Sequence, residues 1–280
     1  TYKESIIINK ANLTLKSKDG ADKTIIDADG ARNAVKITAD GVTVDGFTIT
    51  GANYQYEGAV FLDRVEDCII KNNLVTLNYR AGIFMQQADN NTIENNIIRE
   101  NTIGIHMTRG STATTTSCNN NTIKGNTIEN NSSYGISLTT SYTQANAATG
   151  NKFLENIIEG NGETGIKIDG GVWVSNTIEG NTIFGHQNYG IYNNGGAQNN
   201  IIKGNTIDDN NRGGYKGAGK ASGDGIYIGS HSEAATDVSR ATFANTIEDN
   251  IITNHWNGIY LYGYTSKSDK YNYDNIIRGN

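Results

Sequence analysis

The sequence repeats a short apolar pattern, G-I-x-[LIM], whose variable residue x could take part in chemistry. Alternate side chains of a strand face opposite sides, so the isoleucine points inward and x points outward. Stacked copies would place x in one outward column: Phe61, Phe84, His106, Ser137, Lys167, Tyr192, Tyr227 and Tyr260. The next outward position adds a second column: Asp63, Gln86, Thr108, Thr139, Asp169, Asn194, Gly229 and Tyr262. Aromatic rings repeated along a sheet suit stacking on sugars, and the polar groups suit hydrogen bonds to sugar hydroxyls.

These columns predict a carbohydrate-binding surface. Its expected contact residues are Phe84, Tyr192, Tyr227, Tyr260, Tyr262, Asp63 and Asn194. The competing interpretation is that the aromatic side chains only shield the backbone and stack on one another, as cross-strand neighbours do. Most Tyr residues and both Trp residues follow residue 140. We therefore expect the site in the C-terminal half.

Charged residues in the same columns are candidates for catalysis. Lys167 and Asp169 share one strand face, and His106 lies two coils away. A lyase or epimerase acting on a uronate polymer needs a base that removes a proton and a cation that neutralises the carboxylate. Three further residues could serve in the same way: Arg109, Arg240 and His231. Because ordinary surfaces carry such groups, solvated surface charge is the favoured interpretation, and no catalytic residue is assigned.

Metal and cofactor sites have weak sequence signals. Two sets of carboxylates could offer oxygen ligands to Ca²⁺: Asp208 with Asp209, and Asp224 with Glu233 and Asp237. Neither set has the spacing of a known calcium loop. We predict no metal and no cofactor, with Ca²⁺ as the one alternative left open.

The elements that must position these residues follow from a repeat. N-x-I pairs such as "NTIENNIIREN" (91–101) and "NTIKGNTIENN" (121–131) recur between the G-I-x-[LIM] segments. Successive glycines of these segments are separated by 24, 22, 31, 30, 25, 35 and 33 residues. We therefore expect a basic coil of about 22 residues, lengthened in some copies by insertions. Three short strands per coil predict an all-β fold, a right-handed parallel β-helix. We expect about ten coils in a single domain over residues 1–280, with degenerate coils in 1–57 and regular coils in 58–280.

The asparagines recur at fixed points of each coil. We expect them to occupy corners with left-handed backbone and to bond to one another from coil to coil as ladders. The three predicted ladders are Asn73, Asn96, Asn126, Asn156, Asn181, Asn205, Asn250; Cys68, Asn91, Asn121, Asn151, Asn176, Asn200, Asn245, Asn275; and Asn78, Asn101, Asn131, Asn161, His186, Asn210, His255.

Four insertions follow G-I-x-[LIM], at 108–120, 139–150, 229–244 and 262–274, and a fifth covers 210–224. Loops stacked on one side are expected to form a wall beside the aromatic columns. Cys68 is expected to face inward and Cys118 to lie in a loop, without a bond between them. Both ends look like interrupted coils, so we expect a piece of a longer chain whose ends are capped or stack on other molecules.

Composition excludes several classes of protein. The formal net charge is −6 and no basic stripe is visible, which argues against nucleic acid as a partner. No apolar run is long enough to span a membrane, so no membrane insertion is expected. Proline is absent.

The repeats and "TYKESIIINKANLTLKSKDGADKTIIDADG" at the start resemble right-handed β-helix proteins of the pectate-lyase-like superfamily, most closely the NosD-like, CASH-domain group. The resemblance covers nearly the whole chain. It implies polysaccharide lyases, epimerases, hydrolases, accessory proteins or surface proteins as relatives. The paired-Asp signature of polygalacturonases and the D-P-H-D motif of alginate epimerases do not occur in the sequence.

The preferred hypothesis is a non-catalytic extracellular or cell-surface module that binds polysaccharide or builds a surface assembly, with a periplasmic location also open. The first alternative is a polysaccharide lyase or epimerase acting on a uronate polymer. The second is a structural spacer or filament subunit that associates end to end.

Overall fold

The computed structural model describes residues 1–109, 118–139, 148–169, 173–210, 223–229, 242–262 and 272–280. These residues contain strands and turns but no helix. Ten strands pair in parallel in each of three sheets. Sheet 1 consists of β1 (Tyr2–Lys3), β4 (Ile25–Asp27), β7 (Thr48–Thr50), β10 (Leu74–Thr76), β13 (Ile97–Arg99), β16 (Thr127–Glu129), β20 (Ile157–Glu159), β24 (Thr182–Phe184), β28 (Thr206–Asp208) and β32 (Ile251–Thr253).

Sheet 2 holds the G-I-x-[LIM] strands. It consists of β2 (Ile6–Ile8), β5 (Val35–Ile37), β8 (Gly58–Asp63), β11 (Ala81–Gln86), β14 (Ile103–Thr108), β17 (Tyr134–Thr139), β21 (Thr164–Asp169), β25 (Tyr189–Asn194), β29 (Ile226–Gly229) and β33 (Ile259–Tyr262). Sheet 3 consists of β3 (Thr14–Lys16), β6 (Thr43–Asp45), β9 (Ile69–Lys71), β12 (Thr92–Glu94), β15 (Thr122–Lys124), β19 (Lys152–Leu154), β23 (Thr177–Glu179), β27 (Ile201–Lys203), β31 (Thr246–Glu248) and β35 (Ile276–Arg278).

Each coil of the chain contributes one strand to sheet 2, one to sheet 3 and one to sheet 1, in that order. Each of these strands pairs with the equivalent strand of the preceding coil. The predicted parallel β-helix with three short strands per coil is therefore confirmed. A small fourth sheet was not predicted. It consists of the two-residue strands β18 (Ala148–Thr149), β22 (Trp173–Val174), β26 (Ala197–Gln198), β30 (Thr242–Phe243) and β34 (Asn272–Tyr273). Each of these strands lies between a strand of sheet 2 and a strand of sheet 3.

One apolar core fills the solenoid. Ile70, Ile93 and Ile123 stack in register on sheet 3, and all three are fully buried. Burying one such side chain contributes about 1.5–3 kcal/mol, and the same column repeats on all three sheets. Cys68 and Cys118 belong to this core and carry free thiols. Cys118 lies outside the strands, as expected, but its side chain is buried in the core of the solenoid.

All three asparagine ladders are confirmed. In the first, the Nδ2 group of Asn96 donates to Oδ1 of Asn126 at 3.0 Å, and Asn126 donates to Oδ1 of Asn156 at 3.0 Å. In the third, the backbone N–H of Asn161 donates to Nδ1 of His186 at 3.1 Å. The first ladder also extends one step beyond the prediction, from Asn250 to Asn280 at 2.7 Å.

The backbone at these corners differs from the expectation. The ladder asparagines do not have positive φ; the residue just before each of them does, as at Asn95 (φ 55), Leu77 (φ 56) and Glu100 (φ 55). The left-handed residue turns the chain, and the following Asn then points inward to bond with the adjacent coils. Asn is therefore selected at the ladder for its buried donor and acceptor rather than for its backbone freedom.

The glycine of G-I-x-[LIM] is required by a close approach. A Cβ at Gly104 would lie 2.5 Å from both the carbonyl oxygen of Gly135 and a methyl group of Ile128. In β8 the aligned residue is Ala59 rather than Gly58, because Gly58 pairs with Ala81. The sequence pattern had aligned Gly58 with this set.

Candidate functional site

Sheet 2 brings the predicted outward columns into register. Phe84 pairs with both Phe61 and His106, and Tyr227 pairs with both Tyr192 and Tyr260. In the second column, Asn194 pairs with Asp169 and Gly229. The order read from the sequence is thus the order of neighbours in the structure.

The N-terminal half of the first column is not exposed. Phe61, Phe84, His106 and Ser137 keep between 3% and 7% of their surface accessible. Phe84 packs with Phe61, Ala81 and Ile103 in a second apolar cluster, separate from the solenoid core. The prediction that Phe84 offers an exposed ring is wrong, because its column neighbours cover it.

His106 is enclosed in this cluster. Its ring lies 5.2 Å from that of Phe84, and its Nε2 atom lies 3.4 Å from the hydroxyl oxygen of Thr139. Burial, helped by the positive charges of Arg80 and Lys167, lowers the pKa of His106 to about 3. The imidazole is therefore neutral at physiological pH and not open to a polymer outside.

Lys167 lies at the boundary between the buried and open halves of the column. Its ammonium group donates to the hydroxyl oxygen of Tyr134 at 3.0 Å, lies 4.4 Å from the centre of that ring and pairs with Asp169 at 3.2 Å. Partial burial opposes the charge, but the bond to Tyr134 and the charge of Asp169 outweigh it and raise the pKa of Lys167. Lys167 is thus a protonated cation held in place, not a base.

The C-terminal half of the column belongs to a group of rings that we call the tyrosine surface. It consists of Tyr134, Tyr189, Tyr192, Tyr227, Tyr260 and Tyr262, on strands β17 to β33. The rings of Tyr192 and Tyr227 stack at 4.9 Å and 16°. Tyr189 lies 4.7 Å from Tyr192, and Tyr260 lies 5.6 Å from Tyr227.

These contacts decide which parts of the rings can be reached. Tyr192 and Tyr227 each cover one face of the other, and Tyr227 is 8% exposed. Tyr262 is 37% exposed at the outer side. The structure thus combines the two competing interpretations of these rings: they stack on one another, and part of the group stays open to solvent.

Gly229 accounts for the position of the Tyr227 ring. A Cβ at Gly229 would lie 2.9 Å from both Cε1 and the hydroxyl oxygen of Tyr227. The aligned residues of the neighbouring coils are Asn194 and Tyr262. The missing side chain in the second column therefore lets the ring of Tyr227 lie across its own strand.

A third outward column was not predicted from the sequence. It is formed by the residue just before each glycine, and it contains Tyr134, Thr164 and Tyr189 in register. Asp224 follows as the residue before Gly225, fully buried, with Oδ1 accepting from Nδ2 of Asn257 at 2.7 Å. Period-2 alternation would have placed these residues inward, because each lies three positions before the outward residue x, so the sequence pattern could not have found this column.

Asp224 and three of the tyrosines are shifted towards their neutral forms. Burial raises the pKa of Asp224 and raises the pKa of Tyr189 to about 12, with the charge of Asp224 adding to the effect on Tyr189. Burial also raises the pKa of Tyr192 and of Tyr227. The phenols are thus protonated hydrogen-bond donors at neutral pH.

Asp63 is not part of this region. It pairs with Lys36 at 3.0 Å and with Arg64 at 3.0 Å. Five coils separate it from Asn194, a distance of about 24 Å at strand spacing. Asn194 lies beside Asp169 at the edge of the tyrosine surface.

Most of the predicted loop wall lies outside the described residues, with His231, Arg240, Glu233 and Asp237. Arg109 is described and is partly buried. Within the part of the chain that the structure covers, no three His, Cys, Asp or Glu side chains group as metal ligands would. In that same part, no helix has the length and apolar character needed to cross a membrane.

The sequence matches the family model of the right-handed β-helix region twice, over residues 7–153 and 146–280. The chain belongs to the right-handed β-helix family. This confirms the expected handedness and agrees with the predicted pectate-lyase-like superfamily, whereas membership of its NosD-like group stays a prediction. No curated protein matches the sequence.

Solved structures share the β-helix at low sequence identity. An alginate lyase from Paenibacillus sp. is 15% identical, with a TM-score of 0.60 over 94% of this chain and 87% of the lyase. The A-module of the Azotobacter vinelandii mannuronan C-5 epimerase AlgE6 is 15% identical, with a TM-score of 0.62 over 99% of this chain and 87% of the module. The Dettilon tailspike protein is 17% identical, with a TM-score of 0.60 over 96% of this chain and 62% of the tailspike. At these identities the likeness concerns the fold.

Proposed function

We propose that this β-helix is a polysaccharide-binding module and that the tyrosine surface is its binding site. The observation that carries the proposal is the contact network of five adjacent rings on three consecutive coils, from Tyr189 to Tyr262. Rings that support one another lose little side-chain freedom on binding, which favours affinity. Such a group, left partly open on a sheet face, suits a sugar chain that lies across these three coils.

The tyrosine surface combines apolar and polar contacts. Tyr260 and Tyr262 offer ring surface, while the protonated phenols and the amide of Asn194 offer hydrogen bonds to hydroxyl groups. Lys167 adds a fixed positive charge between Tyr134 and Tyr192. Asp169, which pairs with Lys167, is the matching acceptor group.

The titration behaviour favours binding over catalysis. A general base must be able to accept a proton near the working pH and must reach the substrate. Lys167 is protonated, His106 is enclosed, and Asp224 is fully buried. Asp169 is the accessible carboxylate among the predicted candidates, and its charge is engaged by Lys167.

One observation supports a second candidate, a lyase or epimerase acting on a uronate polymer. The ammonium group of Lys167 and the hydroxyl group of Tyr134 lie 3.0 Å apart. A cation beside a phenol could neutralise a substrate carboxylate and donate a proton. The names of the alginate lyase and the mannuronan epimerase with the same fold agree with this alternative.

We propose that the protein acts outside the cell or on its surface, where many structural polysaccharides are found. The relatives named after alginate, mannuronan and a tailspike support that placement by analogy of fold. Detection of the protein only in a cytosolic fraction would contradict it.

The test is retention of the purified chain on immobilised neutral and uronate polysaccharides, with ultraviolet absorbance recorded for unsaturated product. We expect retention without product, weakened at least about tenfold by Tyr192→Ala with Tyr260→Ala. Tyr56→Ala is the matched control, since Tyr56 is 62% exposed on the N-terminal coils. Product that disappears in Lys167→Ala would replace the binding proposal by the lyase alternative. Equal loss in the control would overturn the placement of the site.

A further inference from the structure

A groove lies at the corner between sheets 1 and 2, on the N-terminal coils. It is shallow and largely open to solvent, with a volume of about 490 Å³, and is lined chiefly by Gly30, Gly51, Asn53, Leu77, Tyr79 and Glu100. The tyrosine surface begins on later coils, at β17, so the groove is a separate feature.

The groove lies where small residues of one corner are followed, in the next coils, by residues with large side chains. Gly30 and Gly51 are bonded neighbours in successive coils, with the N–H of Gly30 donating to the carbonyl oxygen of Gly51 at 2.9 Å. Neither has a side chain, whereas the next two coils carry Leu77 and Glu100. Only the space at Gly30 is open, since a Cβ there would meet nothing within 4 Å; at Gly51 the Asp27 carboxylate takes the place of a side chain.

Leu77 and Glu100 are unusual at this corner. Both have left-handed backbone, with φ of 56° and 55°. In the later coils that the structure describes, the same corner is turned by Gly, Asn or Asp: Asn130, Gly160, Gly185, Asp209 and Asn254. Left-handed backbone is unfavourable for a leucine or a glutamate. Strained residues of this kind concentrate at functional sites.

The apolar groups at the groove contribute little to the fold. Leu77 is 65% exposed and Tyr79 is 61% exposed. Among the described residues, no aromatic ring packs on Tyr79, in contrast to Tyr192 and Tyr227. An open aromatic face beside an apolar side chain suits the C–H face of a sugar ring.

The polar groups of the groove indicate which sugar fits. Oε2 of Glu100 accepts a hydrogen bond from the hydroxyl group of Thr76 at 3.1 Å, which fixes the carboxylate. Asn53 adds an exposed amide at the opposite coil. Glu100 carries the only formal charge among the described lining residues. A hydroxyl group can donate to that carboxylate, whereas a uronate would be repelled by it.

We propose that this groove binds a neutral saccharide. Its ring stacks on Tyr79, Leu77 forms the apolar wall, and hydroxyl groups bond to Glu100 and Asn53. The proposal does not depend on the tyrosine surface, because the two sites share no residue.

The test follows the methyl resonances of Leu77 in the ¹³C-methyl-labelled full chain. We expect millimolar cellohexaose or maltohexaose to shift them, and an oligomannuronate of equal length to shift them at least about tenfold less at equal concentration. Tyr79→Ala should abolish the shift. Trp256→Ala is the matched control and should leave it unchanged, since Trp256 is 65% exposed and also follows a residue of the third ladder.

Two further measurements separate the alternatives. The shift should persist in the double variant Tyr192→Ala with Tyr260→Ala, so failure of the tyrosine surface and failure of the groove give different results. Leu77→Asn should keep or raise the melting temperature, because Asn tolerates left-handed backbone better than Leu. The proposal is overturned if neither hexasaccharide moves the Leu77 resonances, if the shift survives Tyr79→Ala, or if Leu77→Asn lowers the melting temperature.

Discussion

Replacing one ladder residue, Asn96→Ala, should destabilise the β-helix strongly. Asn96 is 1% exposed. Its Oδ1 atom accepts from the backbone N–H of Asn73 at 3.0 Å, and its Nδ2 group donates to the carbonyl oxygen of Ile70 at 2.8 Å. It also bonds to Oδ1 of Asn126 at 3.0 Å. Alanine supplies neither the acceptor nor the donor.

The size of the effect follows from the groups that lose their partners. The N–H of Asn73 and the carbonyl of Ile70 are left buried without this bond, and each such group costs about 1–3 kcal/mol. Asn126 keeps the bond from its own Nδ2 group to Asn156. The expected loss of unfolding free energy is therefore about 2–6 kcal/mol.

The assay is urea unfolding followed by circular dichroism, with the midpoints of variant and parent compared at equal slope. Asn95→Gly is the matched control: Asn95 is the same residue type at the same corner, but it is exposed and has φ of 55°. Glycine accepts that backbone, so the control should stay within about 0.5 kcal/mol. A loss below about 1 kcal/mol for Asn96→Ala, or equal losses for both variants, would show that the ladder bonds do not hold the corner.

Three further predictions concern titration, ring packing and thiols. Because the pKa of His106 falls from 6.5 to about 3 on folding, the unfolded chain binds a proton that the folded chain refuses, so stability should drop as pH falls from 6.5 to 3. His106→Gln should flatten that part of the melting temperature profile, and an unchanged difference between the variants across this window would contradict the assignment. Gly229→Ala should displace the ring of Tyr227 and change the near-ultraviolet circular dichroism, whereas Gly258→Ala, whose Cβ would meet nothing closer than 3.7 Å, should not. Burial raises the pKa of Cys118 to about 12 and also raises that of Cys68, so neither thiol should react with a disulfide reagent until urea is added; rapid labelling of the folded chain would refute their placement in the core.

The repeat in the sequence was sufficient to predict the coil, the register and the ladders. Each N-x-I unit has two inward positions, the Asn and the Ile, and neighbouring coils carry the same unit, so a single alignment of Asn96 with Asn126 fixes the residues around both. The pairing of Tyr192 with Tyr227 followed from the same alignment. Local alternation and stacking determine these features, and both are visible in the order of the residues.

The tertiary structure alone decided which outward residues are accessible. The sequence places Phe84 and Tyr260 at equivalent positions, yet Phe84 is buried by Phe61 and its other neighbours while Tyr260 remains partly open. Rotamers and contacts between columns set this outcome, as when Tyr227 lies across Gly229 or Lys167 turns towards Tyr134.

The same limit explains the groove. The strained Leu77 and the two glycines before it are separated by whole coils in sequence. They line one groove only because their coils stack on one another. The sequence by itself thus determined the scaffold of this protein, because the scaffold repeats with a local period. The structure determined its surfaces, because exposure depends on side chains from several coils at once.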